Sequence, residues 1–193
     1  MTSLGDTVNN IFGSLDKAGI PDARIESEVL VANLVEVPRH HIYAFQEREL
    51  TSQHQEMIAI ALDRRLKREP LAYILGKKEF YGIELAVGPG VLIPRPETER
   101  LVDISLECVN KLQHPRILEV GTGSGCISIS IALMRGDAKI LSIDISQNAL
   151  NKAQENSDYH KTKNVNFLKF DFLKEILIYF FSKTLKNCWK DEK

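Results

Sequence analysis

Apolar residues in the first third of the chain recur every three or four positions, a spacing that is typical of amphipathic helices. Three stripes of this kind predict three helices. Their apolar positions are Leu4, Val8, Ile11, Phe12 and Leu15, then Ile25, Val29 and Leu34, then Ile58, Leu62 and Leu66. Gly19 ends the first helix and Pro38 closes the second. Thr51 or Ser52 caps the third. We therefore predict that residues 1–68 form a small helical bundle whose stripes pack against each other.

Apolar and polar residues alternate after this helical region, which is typical of β-strands. The segment KKEFYGIELAVG predicts a short hairpin with a bend at Gly82. The next segment, GPGVLIPRPETE, contains Pro89, Pro94 and Pro96. These prolines remove three backbone donors and fix three φ angles, which favours a stiff connector over the interior of an element. Residues 69–96 are therefore predicted to be a hairpin and a proline-rich linker.

Strand and helix patterns alternate through the second half of the chain. A helical stripe runs from Glu97 to Leu112, and the strand-like segments RILEV, AKILSID and NVNFLKF follow it. Helical segments at 125–134 and 147–156 separate these strands. Alternation of strand and helix predicts a parallel sheet covered by helices, so the predicted fold class is α/β.

The composition narrows the classes of function. The 193 residues carry a net charge of −1 from 25 basic and 26 acidic side chains, so no strong field favours general nucleic-acid or membrane binding. Cys108, Cys126 and Cys188 form no CxxC pair, so we expect neither a metal site nor a disulfide framework. No apolar run approaches the ~20 residues of a membrane helix, and the start MTSLGD lacks a secretory pattern. We therefore expect a cytoplasmic protein.

Three glycines stand at alternate positions between a predicted strand and a predicted helix, in ILEVGTGSGCISISIAL. Glycine at such a turn allows ligand atoms to approach bare backbone. The dinucleotide fingerprint GxGxxG fails by one position, because Cys126 stands where its third glycine would be. No lysine follows, which excludes a phosphate-binding P-loop. The turn therefore favours a ligand without a pyrophosphate.

Two carboxylates at strand ends suggest which ligand that is. Glu119 stands two residues before Gly121, where it would repel a pyrophosphate but attract an ammonium or sulfonium group. Asp144 ends the second strand, a position that suits a carboxylate accepting hydrogen bonds from both ribose hydroxyls. A nucleoside ligand with a positive charge is S-adenosylmethionine. The alternative is a tight turn beside a carboxylate that the fold itself satisfies.

Two motifs carry a resemblance to known families. EVGTGSG together with SIDIS resembles the first two motifs of the Rossmann-like methyltransferases. Residues 70–102, PLAYILGKKEFYGIELAVGPGVLIPRPETERLV, closely resemble the linker and first helix of the release-factor glutamine methyltransferases, the HemK/PrmC family. The resemblance extends over residues 1 to about 173. It implies a helical domain and a hairpin ahead of a Rossmann-like catalytic domain, here 97–173.

The resemblance also implies a reaction and a substrate. The family transfers a methyl group from S-adenosylmethionine to the N5 side-chain amide of a glutamine. That glutamine lies in the Gly-Gly-Gln loop of peptide-chain release factors, so a release factor is the expected partner.

The resemblance assigns site residues by position. Gly121 and Gly123 would face the methionine part of the cofactor, Asp144 would bind the ribose, and Asp171 with Phe172 would lie beside the adenine. The full set implied for the cofactor is Glu119, Gly121, Thr122, Gly123, Gly125, Asp144, Asp171 and Phe172. The set implied for the active-site wall is Phe80, Pro94, Arg95, Pro96, Glu97 and Thr98.

The resemblance stops before one family motif. Family members carry Asn-Pro-Pro-Tyr after a fourth strand, and this motif would hold the poorly nucleophilic amide in line with the methyl group. No proline follows Pro115 here, and Asn187 is a poor match because Cys188 and Trp189 come next. We therefore expect a chain truncated before this motif, with a tail at 174–193 unlike the family.

Two alternatives to an active methyltransferase remain open. One is a catalytically inactive module that binds only the cofactor or the release factor. The other is an unrelated helical interaction protein with a chance glycine turn.

Overall fold

The computed structural model describes residues 2–174 and divides the chain into two units. The first unit comprises residues 1–76, and the second begins at Lys77. The hairpin that was predicted within a linker falls in the second unit. The predicted tail, with its apolar stretch at 176–181 and Asn187, lies outside the described residues apart from Lys174.

The described part of the first unit is helical apart from one isolated antiparallel bridge between Ser3 and Glu49. Its helices are α1 (Leu4–Lys17), α2 (Ala23–Leu34), α3 (His41–Ala44), α4 (Ser52–Leu66) and α5 (Leu71–Leu75). The three predicted helices are present, while α3 and α5 were not predicted because four or five residues are too short to show a period. Thr51 is the cap of α4, since its hydroxyl accepts a hydrogen bond from the backbone N–H of His54.

The core of the first unit confirms the predicted stripe of α1 but corrects that of α2. Leu4, Val8, Ile11 and Leu15 are all buried. In α2, Ile25 is 48% exposed, whereas the neighbouring charged residue Glu28 is fully buried. An apolar stripe alone therefore predicts the wrong buried face for α2. Glu28 can be buried because two arginines and a tyrosine donate hydrogen bonds to its carboxylate.

A tight hairpin opens the second unit. Strands β1 (Lys77–Phe80) and β2 (Ile83–Ala86) pair antiparallel. Tyr81 and Gly82 both have positive φ, 50° and 73°, which suits a two-residue turn whose twist matches the strands. Helix α6 (Glu99–Val109) fixes this turn, since Glu99 Oε1 accepts from Tyr81 N at 2.9 Å and Asp103 Oδ1 accepts from Tyr81 Oη at 2.9 Å.

A parallel three-stranded sheet follows and confirms the predicted α/β class. Its elements are β3 (Arg116–Val120), α7 (Cys126–Met134), β4 (Lys139–Asp144), α8 (Gln147–Tyr159) and β5 (Val165–Lys169). The strand order is β3-β4-β5, with both pairs parallel. The carboxyl ends of β3 and β4 therefore lie side by side, where the glycine turn leaves the sheet.

The two faces of this sheet differ. The pleat places Glu119, Ser142 and Phe167 on the face that packs into the core of the unit. The opposite face carries largely exposed apolar side chains, at Leu118 and Leu141 among others. Within residues 2–174, β3 pairs only with β4 and forms an edge.

No helix in that range is long and apolar enough to cross a bilayer.

Candidate active site

The glycine turn lies across the carboxyl end of the sheet. Gly121 N and Thr122 N both donate to the Ile143 carbonyl of β4, at 2.8 and 3.1 Å. Gly121, Gly123 and Gly125 have φ values of 79°, 57° and 80°, a region that other residues adopt only with strain. The turn therefore favours glycine at each of the three positions.

The three glycines differ in their surroundings. A Cβ at Gly121 or Gly123 would meet no atom within 4 Å, so their backbone borders open space. A Cβ at Gly125 would lie 2.8 Å from Ile129 Cδ1 and 3.2 Å from Ala153 Cβ. The first two glycines thus leave room for a ligand, whereas the third allows the start of α7 to pack closely against α8.

Asp144 is held in place beside this turn. Its Oδ2 accepts from Gly123 N at 3.0 Å, and its Oδ1 accepts from Ser146 N at 2.9 Å. Ser146 in turn caps α8 by accepting from Ala149 N. The half-buried carboxylate is therefore fixed by two backbone donors, and each oxygen retains a lone pair for a further donor.

Glu119 supports the turn from inside the unit. Its Oε2 accepts from the hydroxyl of Thr122, which is itself buried, at 2.7 Å. Burial raises the pKa of the Glu119 carboxyl, and the hydrogen bond from Thr122 opposes that rise. The side chain thus fixes the conformation of the turn, a contact that the sequence did not predict.

Asp171 and Phe172 follow β5, which ends at Lys169, slightly earlier than predicted. Phe170 N donates to the Asp144 carbonyl at 3.0 Å, which extends the strand pairing and keeps this segment near Asp144. Asp171 Oδ1 accepts from Lys174 N at 3.0 Å. Both side chains are half-buried.

The residues predicted for the active-site wall differ in their burial. Phe80 is buried in the core of the second unit, and Pro94 is also buried. Arg95, Pro96 and Glu97 are exposed, and Thr98 N donates to the Arg95 carbonyl at 3.0 Å. In the described part of the chain, no hydrogen bond joins the 94–98 segment to the glycine turn.

Cys126 occupies the place of a third fingerprint glycine and starts α7. Burial and the nearby charge of Glu119 raise the pKa of its thiol to about 11. A thiol of this kind is not a nucleophile at neutral pH.

No cluster of three histidine, cysteine or acidic side chains that could bind a metal occurs among residues 2–174.

Sequence reasoning missed Asn156, which lies on α8 and is 2% exposed. Its side chain hydrogen-bonds both the last residue of β2 and the glycine turn. The predicted helix ended near this residue, and no local pattern distinguished it from the exposed polar residues around it.

Sequence models of two protein families match the chain. The PrmC N-terminal domain matches residues 6–76, and a methyltransferase domain matches residues 112–184. The second match agrees with the prediction of a methyltransferase domain in the second half of the chain.

Curated relatives cover most of the chain. The release factor glutamine methyltransferase of Coxiella burnetii is 40% identical over 167 residues, which cover 86% of this chain and 60% of that protein. The protein of the same name from Koribacter versatilis is 41% identical over 80% of this chain and 55% of its own length. A bifunctional methyltransferase of Rickettsia typhi is 35% identical over 82% of this chain and 34% of its own length. The chain thus spans 60% or less of these relatives.

Among solved structures, a SAM dependent methyltransferase from Aquifex aeolicus is 28% identical over 40% of this chain and 43% of that chain. Its TM-score of 0.35 is too low to bear on the fold. The sequence matches carry the assignment instead. Over the stretch that it shares with its curated relatives, the chain belongs to the release factor glutamine methyltransferase family.

Proposed function

We propose that the second unit binds S-adenosylmethionine and that the chain serves the methylation of the Gly-Gly-Gln glutamine of a peptide-chain release factor. The observation that carries the cofactor part is the meeting of the glycine turn with Asp144. The backbone at Gly121 and Gly123 borders open space, which leaves room for the amino-acid part of the cofactor. The Asp144 carboxylate is fixed by two donors and keeps free lone pairs, which suits the hydroxyls of a nucleoside.

The residues have distinct proposed roles. Asp144 accepts from the ribose hydroxyls, and the exposed backbone at Gly121 and Gly123 lies against the methionine part. Asp171 and Phe172 lie on the adenine side. Glu119 acts indirectly, because it fixes Thr122 and with it the turn. When bound, S-adenosylmethionine supplies an electrophilic methyl group on its sulfonium.

The substrate side of the proposal rests on the family. The relatives' names specify a release factor glutamine, and the match at residues 6–76 covers the first unit. Residues Pro94 to Thr98 are proposed to form the wall of the active site that faces the substrate. Because release factors act at the ribosome, the proposed substrate puts the reaction in the cytoplasm.

Cofactor binding is tested by calorimetry with S-adenosylhomocysteine on the wild type, Asp144→Ala and the control Asp158→Ala, which alters an exposed carboxylate of α8. Loss of Asp144 should weaken binding by about 1–3 kcal/mol, roughly fivefold to 150-fold in Kd, since a charged hydrogen-bond acceptor is removed. The control should bind like the wild type. Equal affinities for all three proteins would refute the role of Asp144, and a wild type that does not bind would refute the cofactor site.

Methyl transfer is a separate test, because the sequence contains no Asn-Pro-Pro-Tyr to orient the amide. The wild type is incubated with a release factor and radiolabelled S-adenosylmethionine. Labelled glutamine that disappears in Asp144→Ala supports the family reaction. Cofactor binding without labelling supports the binding-only module instead.

A further inference from the structure

The Asn156 side chain bonds two segments that are far apart along the chain. Its Oδ1 accepts from Ala86 N at 2.7 Å, and its Nδ2 donates to the Ala86 carbonyl at 3.0 Å. The same Nδ2 donates to the Ser124 carbonyl in the glycine turn at 2.9 Å. Both amide protons are thus used, and neither could be supplied by a carboxylate.

This geometry makes α8 a common support for the hairpin and the turn. Asn156 binds the last residue of β2 through both its N–H and its C=O, as a neighbouring strand would. At the C-terminal cap of the same helix, His160 Nε2 lies 2.6 Å from the Glu84 carbonyl oxygen. Ala153 lies about one helical turn before Asn156 and packs against Gly125, where a Cβ would not fit.

We propose that Asn156 is a positioning residue that couples the hairpin to the glycine turn, so that order imposed on one segment is transmitted to the other. The consequence for function rests on the proposed cofactor site: a ligand that orders the turn would also order β2, which leads into the proline segment at 89–96. The coupling itself rests only on the three hydrogen bonds.

Asn156→Asp tests this with little change in shape. The substitution removes both donors and places a carboxylate against the carbonyl oxygens of Ala86 and Ser124, which is unfavourable in a buried site. The matched control is Asn151→Asp, the same chemical change at an exposed position of α8. Residue-resolved hydrogen exchange is measured on the full chain without ligand.

In Asn156→Asp we expect faster exchange at Ala86 and at Gly123 and Gly125 together, by about tenfold or more, because repulsion between the new carboxylate and the carbonyl oxygens of Ala86 and Ser124 loosens both segments. The control should leave both segments unchanged. Faster exchange in only one of the two segments would overturn the coupling. If the variant fails to fold, hydrogen exchange of the wild type is measured at rising denaturant concentrations. The amides of the hairpin and of the turn should then show the same free energy of opening. Different values for the two segments would overturn the coupling as well.

A second arm adds S-adenosylhomocysteine. In the wild type, ligand should slow exchange in both the turn and β2, whereas in Asn156→Asp it should slow exchange in the turn alone. A variant whose β2 is still protected by ligand contradicts the coupling. A wild type that shows no ligand effect anywhere refutes the cofactor site and leaves the ligand-free result to decide on Asn156.

Discussion

At the residue scale, the spacing of a few side chains predicted where the candidate site would form. Asp144 ends β4 and Glu119 is the last residue but one of β3, and adjacent parallel strands bring their carboxyl ends together. The partner of each carboxylate could not be predicted, because it depends on the pleat and on the path of the turn. Asp144 lies at the turn and accepts from Gly123, whereas Glu119 faces the interior and accepts from Thr122.

The glycines of the turn carry a testable difference in stability. Gly125→Ala should lower the free energy of unfolding by about 2–4 kcal/mol, because the new Cβ adds positive-φ strain to a clash with Ile129 and Ala153. Gly136→Ala is the control, since its Cβ meets nothing within 4 Å. It should change stability by no more than about 0.5 kcal/mol. Urea denaturation followed by circular dichroism measures both, and similar losses in the two variants would contradict the packing role of Gly125.

At the scale of elements, long periodic segments were predictable and short ones were not. The strand RILEV was predicted with its observed bounds, Arg116–Val120. The five-residue α5 shows no period, and the orientation of α2 depends on a buried charge that a hydrophobic stripe cannot represent. Glu28 accepts from Arg24 Nε and Arg39 Nε at 2.8 Å each, and also from the Tyr43 hydroxyl.

This buried carboxylate predicts acid sensitivity of the helical unit. Burial by itself raises the pKa of Glu28, but the hydrogen bonds from Tyr43, Arg39 and Arg24 prevail and hold the pKa below its ordinary value of 4.5. A lowered pKa in the folded state contributes stability that is complete above the ordinary value and is lost as the pH falls through the folded value.

Glu28→Gln should therefore lower the free energy of unfolding at neutral pH by about 1–3 kcal/mol and weaken its decline with acid. The control is Glu56→Gln, at an exposed position of α4. Urea titrations at neutral pH and at several acid pH values measure the effect. An unchanged acid dependence in Glu28→Gln would show that other groups control it.

At the scale of the whole molecule, alternation of elements predicted the parallel sheet, but no pattern predicted what joins distant segments. Ala86 and Asn156 are 70 positions apart, and neither is unusual in its local sequence. Contacts at such separation follow from the completed fold and not from any period along the chain. The predicted domain limits at 68 and 96 likewise followed local sequence patterns, and the compact units of the structure divide after Gly76.

The three hydrogen bonds of Asn156 also have a consequence for the chemical ageing of the protein. Asn156 precedes Ser157, and an asparagine before a small residue deamidates when the next backbone nitrogen attacks the side-chain amide carbon. In the fold, α8 holds the backbone helical and the amide is bound on both sides, so the attack is hindered. In an unfolded chain nothing hinders it: ammonia leaves, and water opens the cyclic imide to aspartate or isoaspartate at the position where two carbonyl oxygens require a donor. Mass spectrometry of the peptide around residue 156 should find deamidation after storage in denaturant but not after equal storage in buffer, and equal rates in both would mean that the fold gives this amide no protection.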